Sequence, residues 1–147
     1  MTTSWILVAD SGRARIFESD QTYKALAEVD DMVNASARQK GSELTSDAPG
    51  RAFDSGGQGR HAMEDKTTAR EQAEVYFAEQ INDFLEAGRT EGKYKTLVMV
   101  AAPGFLGTLR KTLNDNLIKL VAGEINKDLT QHGTQDIIEH LAALNVK

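Results

Sequence analysis

The triplet Gly56-Gly57-Gln58 is the stretch of this chain whose residue types are best suited to chemistry. Glycines let a loop tip enter a narrow polar site because they lack a Cβ and tolerate positive φ. A glutamine amide offers both donors and an acceptor, so beside a backbone N–H it can orient water against an ester and hold the developing oxyanion. The pattern therefore predicts ester hydrolysis, with Gly56, Gly57 and Gln58 as candidate catalytic residues.

Basic side chains flank the triplet and are candidates for contacts with RNA phosphates. They are Arg51, Arg60, His61 and Lys66. Residues 34–70 contain six basic and five acidic side chains and so carry +1. Since the whole chain has a formal net charge of −5, the remainder carries −6. The flanking segment tolerates a phosphate backbone, whereas the acidic remainder argues against a protein that coats nucleic acid or binds DNA.

These candidates share a long polar segment, residues 34–67, which we predict to be an arm within a single domain spanning residues 1–147. Large apolar residues are rare in it, and long loops without secondary structure are usually functional or disordered. We therefore expect a mobile arm, with the highest mobility from Ser46 to Asp65.

An amphipathic helix should follow the arm. The pattern Thr68-Ala-Arg-Glu71 is typical of a capping box. Apolar residues then recur at helical spacing, which indicates one buried face, while the glutamates and Asp83 form a solvated face. The residues of the buried face are Ala73, Phe77, Ile81 and Phe84 or Leu85. Gly88 is predicted to end this helix.

The N-terminal residues predict a β-hairpin, with strands at Ser4–Ala9 and Arg13–Glu18 around an Asp-Ser-Gly turn. Asp10 is interpreted as a turn residue that bonds its own backbone, with a catalytic carboxylate as the alternative. Residues Tyr23–Val33 fit a third strand or a short helix. We favour the strand because an isolated hairpin is only marginally stable.

The second half predicts alternating strands and helices. The apolar run Thr96–Ala102 is typical of a strand covered on both faces, and a helix should follow from about Phe105 to Leu113. A further strand is predicted at Leu117–Ile125, and Thr134 is predicted to cap a last helix. This order indicates an α/β fold with a mixed β-sheet flanked by helices.

Several classes of function are not expected. His61, His132 and His140 lack metal-ligand spacing, and nucleotide and dinucleotide fingerprints are missing, so we expect no metal or other cofactor. The chain has no cysteine, and we find neither a signal peptide pattern nor the roughly 20 apolar residues that span a bilayer. We therefore expect a cytoplasmic protein that does not act at a membrane.

Two known families resemble this chain. The central domain of the eukaryotic and archaeal peptide-chain release factor is similar in SGGQGRHAME, the helix TAREQAEVYFAEQINDFL, the strand TLVMVAAPG and the helix FLGTLRKTL. The bacterial host attachment protein family resembles nearly the whole chain, in WILVADSGRARIF, SDAPGRAFDS, GRHAME, LVMVAAPGFLGTLR and KDL. That family is regarded as an offshoot of the release-factor domain.

The resemblance implies a release-factor central-domain-like fold, with a ribosomal-protein or RNase H-like topology. In the release factor, the Gly-Gly-Gln loop enters the peptidyl-transferase centre and promotes hydrolysis of peptidyl-tRNA. Gly56, Gly57 and Gln58 match that triplet, and Arg60 and His61 match the arm of the attachment family. The codon-reading and GTPase-binding domains have no counterpart in the sequence, so we do not expect this chain alone to decode stop codons. A rescue role on stalled ribosomes or freed peptidyl-tRNA stays consistent with the resemblance.

Two functions are consistent with these observations. In the first, the protein binds the ribosome or tRNA and promotes hydrolysis of the peptidyl-tRNA ester. In the second, it is a non-enzymatic interaction module whose arm binds a protein partner and which affects attachment to host cells indirectly.

Overall fold

The computed structural model describes residues 2–35 and 59–144, and it describes the side chains of residues 2–35 and 69–144. The strands and helices follow one another as β1 Thr3–Ala9, β2 Arg13–Asp20, β3 Ala27–Val33, α1 Gly59–Thr90, β4 Thr96–Ala101, α2 Pro103–Thr112, α3 Asp115–Leu120, β5 Val121–Ile125 and α4 Thr134–Ala143. The predicted α/β class, hairpin and third strand are confirmed.

The described strands form one five-stranded mixed sheet in the order β3-β2-β1-β4-β5. β1 pairs antiparallel with β2 and parallel with β4, and β4 pairs parallel with β5. β1 and β4 are buried along almost their whole length, as continuous apolarity in a central strand requires. The carboxyl ends of β1 and β4 therefore meet at the same edge of the sheet.

Side chains alternate between two cores because successive residues of a strand point to opposite faces. Trp5, Leu7 and Met99 pack beneath α1, α2 and α3. Ile6, Val8 and Val98 pack on the other face against α4. Helices therefore cover both faces of the sheet, as the sequence predicts.

Helix α1 begins at Gly59, earlier than the predicted capping box. Thr68 consequently lies inside the helix, and the capping-box prediction is wrong. Residues 59–67, predicted to belong to a polar arm, are helical. The sequence from Arg60 to Thr90 has no proline. Its first residues are rich in good helix formers such as Ala, Met, Glu and Lys, and this propensity outweighs their polarity.

The end of α1 also differs from the prediction. Gly88 is buried within the helix, and Gly92, with φ of 73°, follows the last helical residues. The N–H of Lys93 donates to the Gly88 carbonyl at 2.9 Å and the N–H of Gly92 donates to the Arg89 carbonyl at 3.0 Å. These two bonds form a Schellman motif, in which a glycine takes the left-handed position.

The predicted strand Leu117–Ile125 is half helix. Its first residues belong to α3, because the Asn114 side chain accepts a bond from the Leu117 N–H at 2.9 Å and caps that helix. Asn114 is fixed in turn by Asn82 of α1, whose side-chain oxygen accepts the Asn114 N–H at 2.9 Å. In α4, the N-cap is Gly133 rather than Thr134, which is the first helical residue.

Candidate polar cleft at the carboxyl ends of β1 and β4

A turn at the end of β1 fixes the first carboxylate of the cleft. Asp10 Oδ1 accepts the N–H groups of Gly12 and Arg13, each at 2.8 Å. The Asp10 N–H donates to the Arg13 carbonyl at 2.8 Å and closes the turn. This confirms the interpretation of Asp10 as a turn aspartate, since one carboxylate oxygen is committed to the backbone and only Oδ2 is available elsewhere.

Thr130 joins this turn to the connector between β5 and α4. Its buried hydroxyl donates to Asp128 Oδ1 at 2.7 Å and lies 3.2 Å from Asp10 Oδ2. The Thr130 N–H also donates to Asp128 Oδ1, at 3.0 Å. Two carboxylates that are far apart in sequence are thus held on either side of one hydroxyl.

Asp128 is biased toward its ionised form. Asp128 is exposed overall, but the protein atoms around its carboxylate exclude some water, which opposes ionisation and so raises its pKa. The bonds from the Thr130 hydroxyl and amide, the contact with the Asp10 side chain and the charge of His132 outweigh that effect and lower the pKa of Asp128 below its ordinary value. At neutral pH this side chain is therefore an acceptor of hydrogen bonds.

Arg15 of β2 holds the connector in place from the side of the sheet. Its guanidinium donates to the carbonyls of Thr130 at 3.2 Å and His132 at 3.0 Å. It also pairs with Glu28 at 3.3 Å and lies over the Phe17 ring, 4.9 Å from the ring centroid. The planar fork of arginine suits such multiple contacts, so Arg15 positions the segment that carries Asp128.

Glu74 and the start of α2 complete the cleft. Its volume is about 510 Å³, and the lining residues are Asp10, Ser11, Gly12, Glu74, Ala102, Gly104, Phe105 and Asp128. Glu74 was predicted to lie on a solvated helix face and instead lines this cleft. Ala102, the N-cap of α2, makes no side-chain capping bond. The cleft therefore presents three carboxylate side chains, those of Asp10, Glu74 and Asp128, beside the start of α2.

Asn34 links the cleft to the end of β3 and to α1. Its N–H donates to the Gly12 carbonyl at 2.9 Å, and its side-chain amide donates to the carbonyls of Ser11 at 2.9 Å and Ala73 at 3.4 Å. It is almost fully buried. Asn34 therefore fixes the point where the chain leaves β3 relative to the helix that follows.

Two histidine side chains are described near the connector. His132 lies in the connector just before α4, and His140 lies on α4 itself. His132 Nδ1 contacts Asp136 Oδ2, and His140 Nδ1 contacts the Asp136 carbonyl oxygen at 2.9 Å. The contact with His132, followed by the charges of His132 and His140, lowers the pKa of Asp136. Among the described residues, no group of three or more His, Cys, Asp or Glu side chains could hold a metal ion.

The sequence-predicted site residues lie elsewhere in the chain. Arg51, Gly56, Gly57 and Gln58 are outside the described residues. Arg60, His61 and Lys66 belong to the first turns of α1, where only the backbone is described. The cleft residues Glu74 and Asp128, and Thr130 which bonds to Asp128, were missed, because α1 and the connector are far apart in sequence and share no local pattern. The one available signal was the Asp-Leu-Thr sequence after β5, which is typical of a side chain that bonds its own backbone.

The fold and the cleft define an α/β protein whose mixed sheet carries a polar cleft at the carboxyl ends of two parallel strands. Residues 5–141 match the family of proteins required for attachment to host cells, and the chain belongs to this family. The predicted membership of the host attachment family is thus confirmed.

One curated relative is similar over a shorter stretch. The uncharacterized protein RP470 of Rickettsia prowazekii (strain Madrid E) is 43% identical over 47 residues. This alignment covers 32% of the present chain and 31% of the relative. In the described part of the chain, no helix has both the length and the apolar character needed to cross a membrane.

Proposed function

We propose that this member of the host attachment family is a ribosome- or RNA-interacting protein related to the release-factor central domain. In this proposal Gly56, Gly57 and Gln58 promote hydrolysis of a peptidyl-tRNA ester, as in ribosome rescue. Arg51, Arg60, His61 and Lys66 contact phosphates and orient the arm. No cofactor is required, because the amide side chain and backbone N–H groups supply the polar contacts.

The observation that carries the proposal is the relation between the triplet and α1. Gln58 immediately precedes Gly59, the first residue of a 32-residue helix. Phe77, Ile81 and Leu85 anchor the later part of that helix, since all three are completely buried. At 1.5 Å per residue, Gly59 lies about 27 Å along the helix axis from Phe77. A long helix anchored in this way suits a protein that reaches into a deep site.

Electrostatics favour contact through the start of α1 rather than through the cleft. Asp10, Glu74 and Asp128 line the cleft, and carboxylates repel a phosphate backbone. The residues from 34 to 70 carry +1, whereas the remainder carries −6. A nucleic acid should therefore approach the arm and be kept away from the carboxyl edge of the sheet.

Cosedimentation with purified bacterial ribosomes across a salt series tests the binding. Contacts with phosphates predict binding that weakens as salt rises, and Arg60→Glu with Lys66→Glu should weaken it further. A matched control is Lys93→Glu with Lys95→Glu, which changes charge equally at exposed positions between α1 and β4. Equal loss in both double variants, or no binding at low salt, would contradict the proposed interface.

Hydrolysis of peptidyl-tRNA on the same ribosomes tests the chemistry. Gln58→Ala should abolish release while ribosome binding persists, because the side chain acts on the ester and not on docking. Gln72→Ala, an exposed glutamine on α1, is the matched control and should retain full activity. Full activity in Gln58→Ala would show that the assigned mechanism is wrong.

A second candidate function is a non-enzymatic interaction module that affects attachment to host cells through a protein partner. The observation that favours it is the acidic character of the chain outside residues 34–70. Binding to a protein that changes little with salt, together with no cosedimentation of ribosomes, would support this function and exclude the first.

A further inference from the structure

The outer edge of β3 differs from the other edge of the sheet. β3 is the end strand on its side, and no described strand pairs with its outer edge. Six of its seven residues are exposed, Met32 being the exception. At the opposite end, β5 has only five residues, and all of them are partly buried. An accessible strand edge presents unpaired N–H and C=O groups, which can pair with another extended chain.

All charged side chains of β3 are acidic. Its sequence AEVDDMV contains three acidic residues and no basic residue. Arg15 pairs with Glu28 and Arg13 pairs with Asp31. Asp30 has no cationic partner among the described residues, where its Oδ1 accepts only the N–H of Asp31. The strand therefore has an exposed, uncompensated negative charge.

Two valines add apolar contact area to the same strand. Val29 is 38% exposed and Val33 is 46% exposed. The pairing with β2 shifts register between Ile16 and Phe17, so that Val29 is an extra residue opposite that step. Bulges and charges are the usual protection of edge strands against indiscriminate pairing.

The negative charge of β3 indicates which kind of extended chain can pair with its outer edge. A second copy of the chain would bring acidic β3 against acidic β3, and like charges on facing strands are destabilising. A strand with basic side chains would instead gain from the same charges, while its backbone would bond to the outer edge of β3, which no described strand covers. We infer that β3 is a docking edge for an extended, basic segment of a partner protein, which binds by adding a strand to the sheet.

This inference stands apart from the ribosome proposal, because it uses neither Gln58 nor the start of α1. The probe is a synthetic nine-residue peptide of alternating valine and lysine, and the control peptide has glutamate in place of lysine. Titration followed by amide NMR should give shift changes concentrated in β3 and β2. Hydrogen exchange of the outward N–H groups of β3 should slow, which is a direct sign of strand addition.

Charge reversal at one exposed position provides the decisive comparison. Asp30→Lys should raise the Kd of the basic peptide by about tenfold, since it replaces an attraction by a repulsion. Asp83→Lys, an exposed aspartate on α1, is the matched control and should change the Kd less than about twofold. The inference would be overturned if the two variants changed the Kd equally or if the glutamate peptide bound as well as the lysine peptide. It would also be overturned if the shift changes were confined to α1 or the cleft.

Discussion

Gly88 lies so close to the indole of Trp5 that a Cβ added to the glycine would stand 2.6 Å from Trp5 Cη2. The indole is held in place by stacking on Tyr94, with ring centroids 4.4 Å apart, and on Phe84 at 5.6 Å. Gly88 is therefore a packing requirement of the contact between α1 and β1, and not a helix terminator.

Gly88→Ala should lower the free energy of unfolding by about 1–3 kcal/mol, because a rigid stacked ring has no room to move aside. Gly107→Ala in α2 is the matched control, since a Cβ there meets nothing within 4 Å. It should stabilise the protein by about 0.5–1 kcal/mol through helix propensity. Urea unfolding followed by Trp5 fluorescence measures both variants, and the two changes should have opposite signs.

Thr130→Val should lower the free energy of unfolding by about 0.5–1.5 kcal/mol, because the buried Thr130 hydroxyl no longer donates to Asp128 and Asp10, whose carboxylates keep contact with water. Thr108→Val is the control, since the Thr108 hydroxyl makes only a 3.4 Å exposed contact with the Gly104 carbonyl. It should change stability by less than about 0.5 kcal/mol. Similar destabilisation in both would mean that the Thr130 bridge contributes little.

The same bridge predicts a pH dependence. The pKa of Asp128 is lowered in the folded protein, so the unfolded state binds the proton more readily. The resulting stabilisation is present above the unfolded pKa of about 3.9 and is lost as pH falls through the lower folded pKa. Thr130→Val should raise the folded pKa of Asp128 and reduce this acid-dependent loss. Carboxyl carbon NMR of Asp128 between pH 2 and pH 6 measures the shift, and an unchanged titration would contradict it.

Arg15→Lys should lower the free energy of unfolding by about 1–2 kcal/mol although it keeps the positive charge, because a lysine cannot bond to Glu28 and two carbonyls at once. Arg13→Lys is the control. Its ion pair with Asp31 is 41% exposed on both sides, and exposed pairs contribute at most about 1 kcal/mol. Thermal unfolding of the two variants should therefore show a larger loss for Arg15→Lys.

Tyr94 should ionise well above the ordinary tyrosine range. Burial raises the pKa of its hydroxyl, and the nearby charge of Glu86 adds to this, while the hydroxyl donates to the Leu85 carbonyl at 2.6 Å. The stabilisation is present below the unfolded pKa of about 10 and is lost as pH rises through the folded value. The difference between wild-type and Tyr94→Phe absorbance at 295 nm isolates this titration. A midpoint at or below pH 10 would show the prediction to be wrong.

Elements defined by a local pattern were predictable from the sequence. The β1–β2 hairpin follows from two β-rich segments around a turn, and β4 follows from one apolar run of strand length. Residues 117–125 were harder, because a short apolar run is compatible with helix and strand alike. The choice depends on Asn114, whose capping bond turns the first part into α3.

The cleft could not be predicted in the same way. Asp10, Glu74 and Asp128 are brought together by the parallel pairing of β1 with β4 and by the Arg15 contacts to the connector. No spacing rule links residues so far apart in sequence. Gly88 shows the same limitation at the level of one residue, since only its distance from Trp5 distinguishes a packing glycine from a helix terminator.

The parallel pairing of β1 with β4 also has a consequence for folding and for variation in chain length. Ser4 and Thr96 face each other in the register although 92 residues separate them. The entropy lost on closing such a loop grows only logarithmically, by about 0.6 kcal/mol for each doubling of length. The entropic cost of bringing β1 beside β4 is therefore nearly independent of the exact number of residues between them.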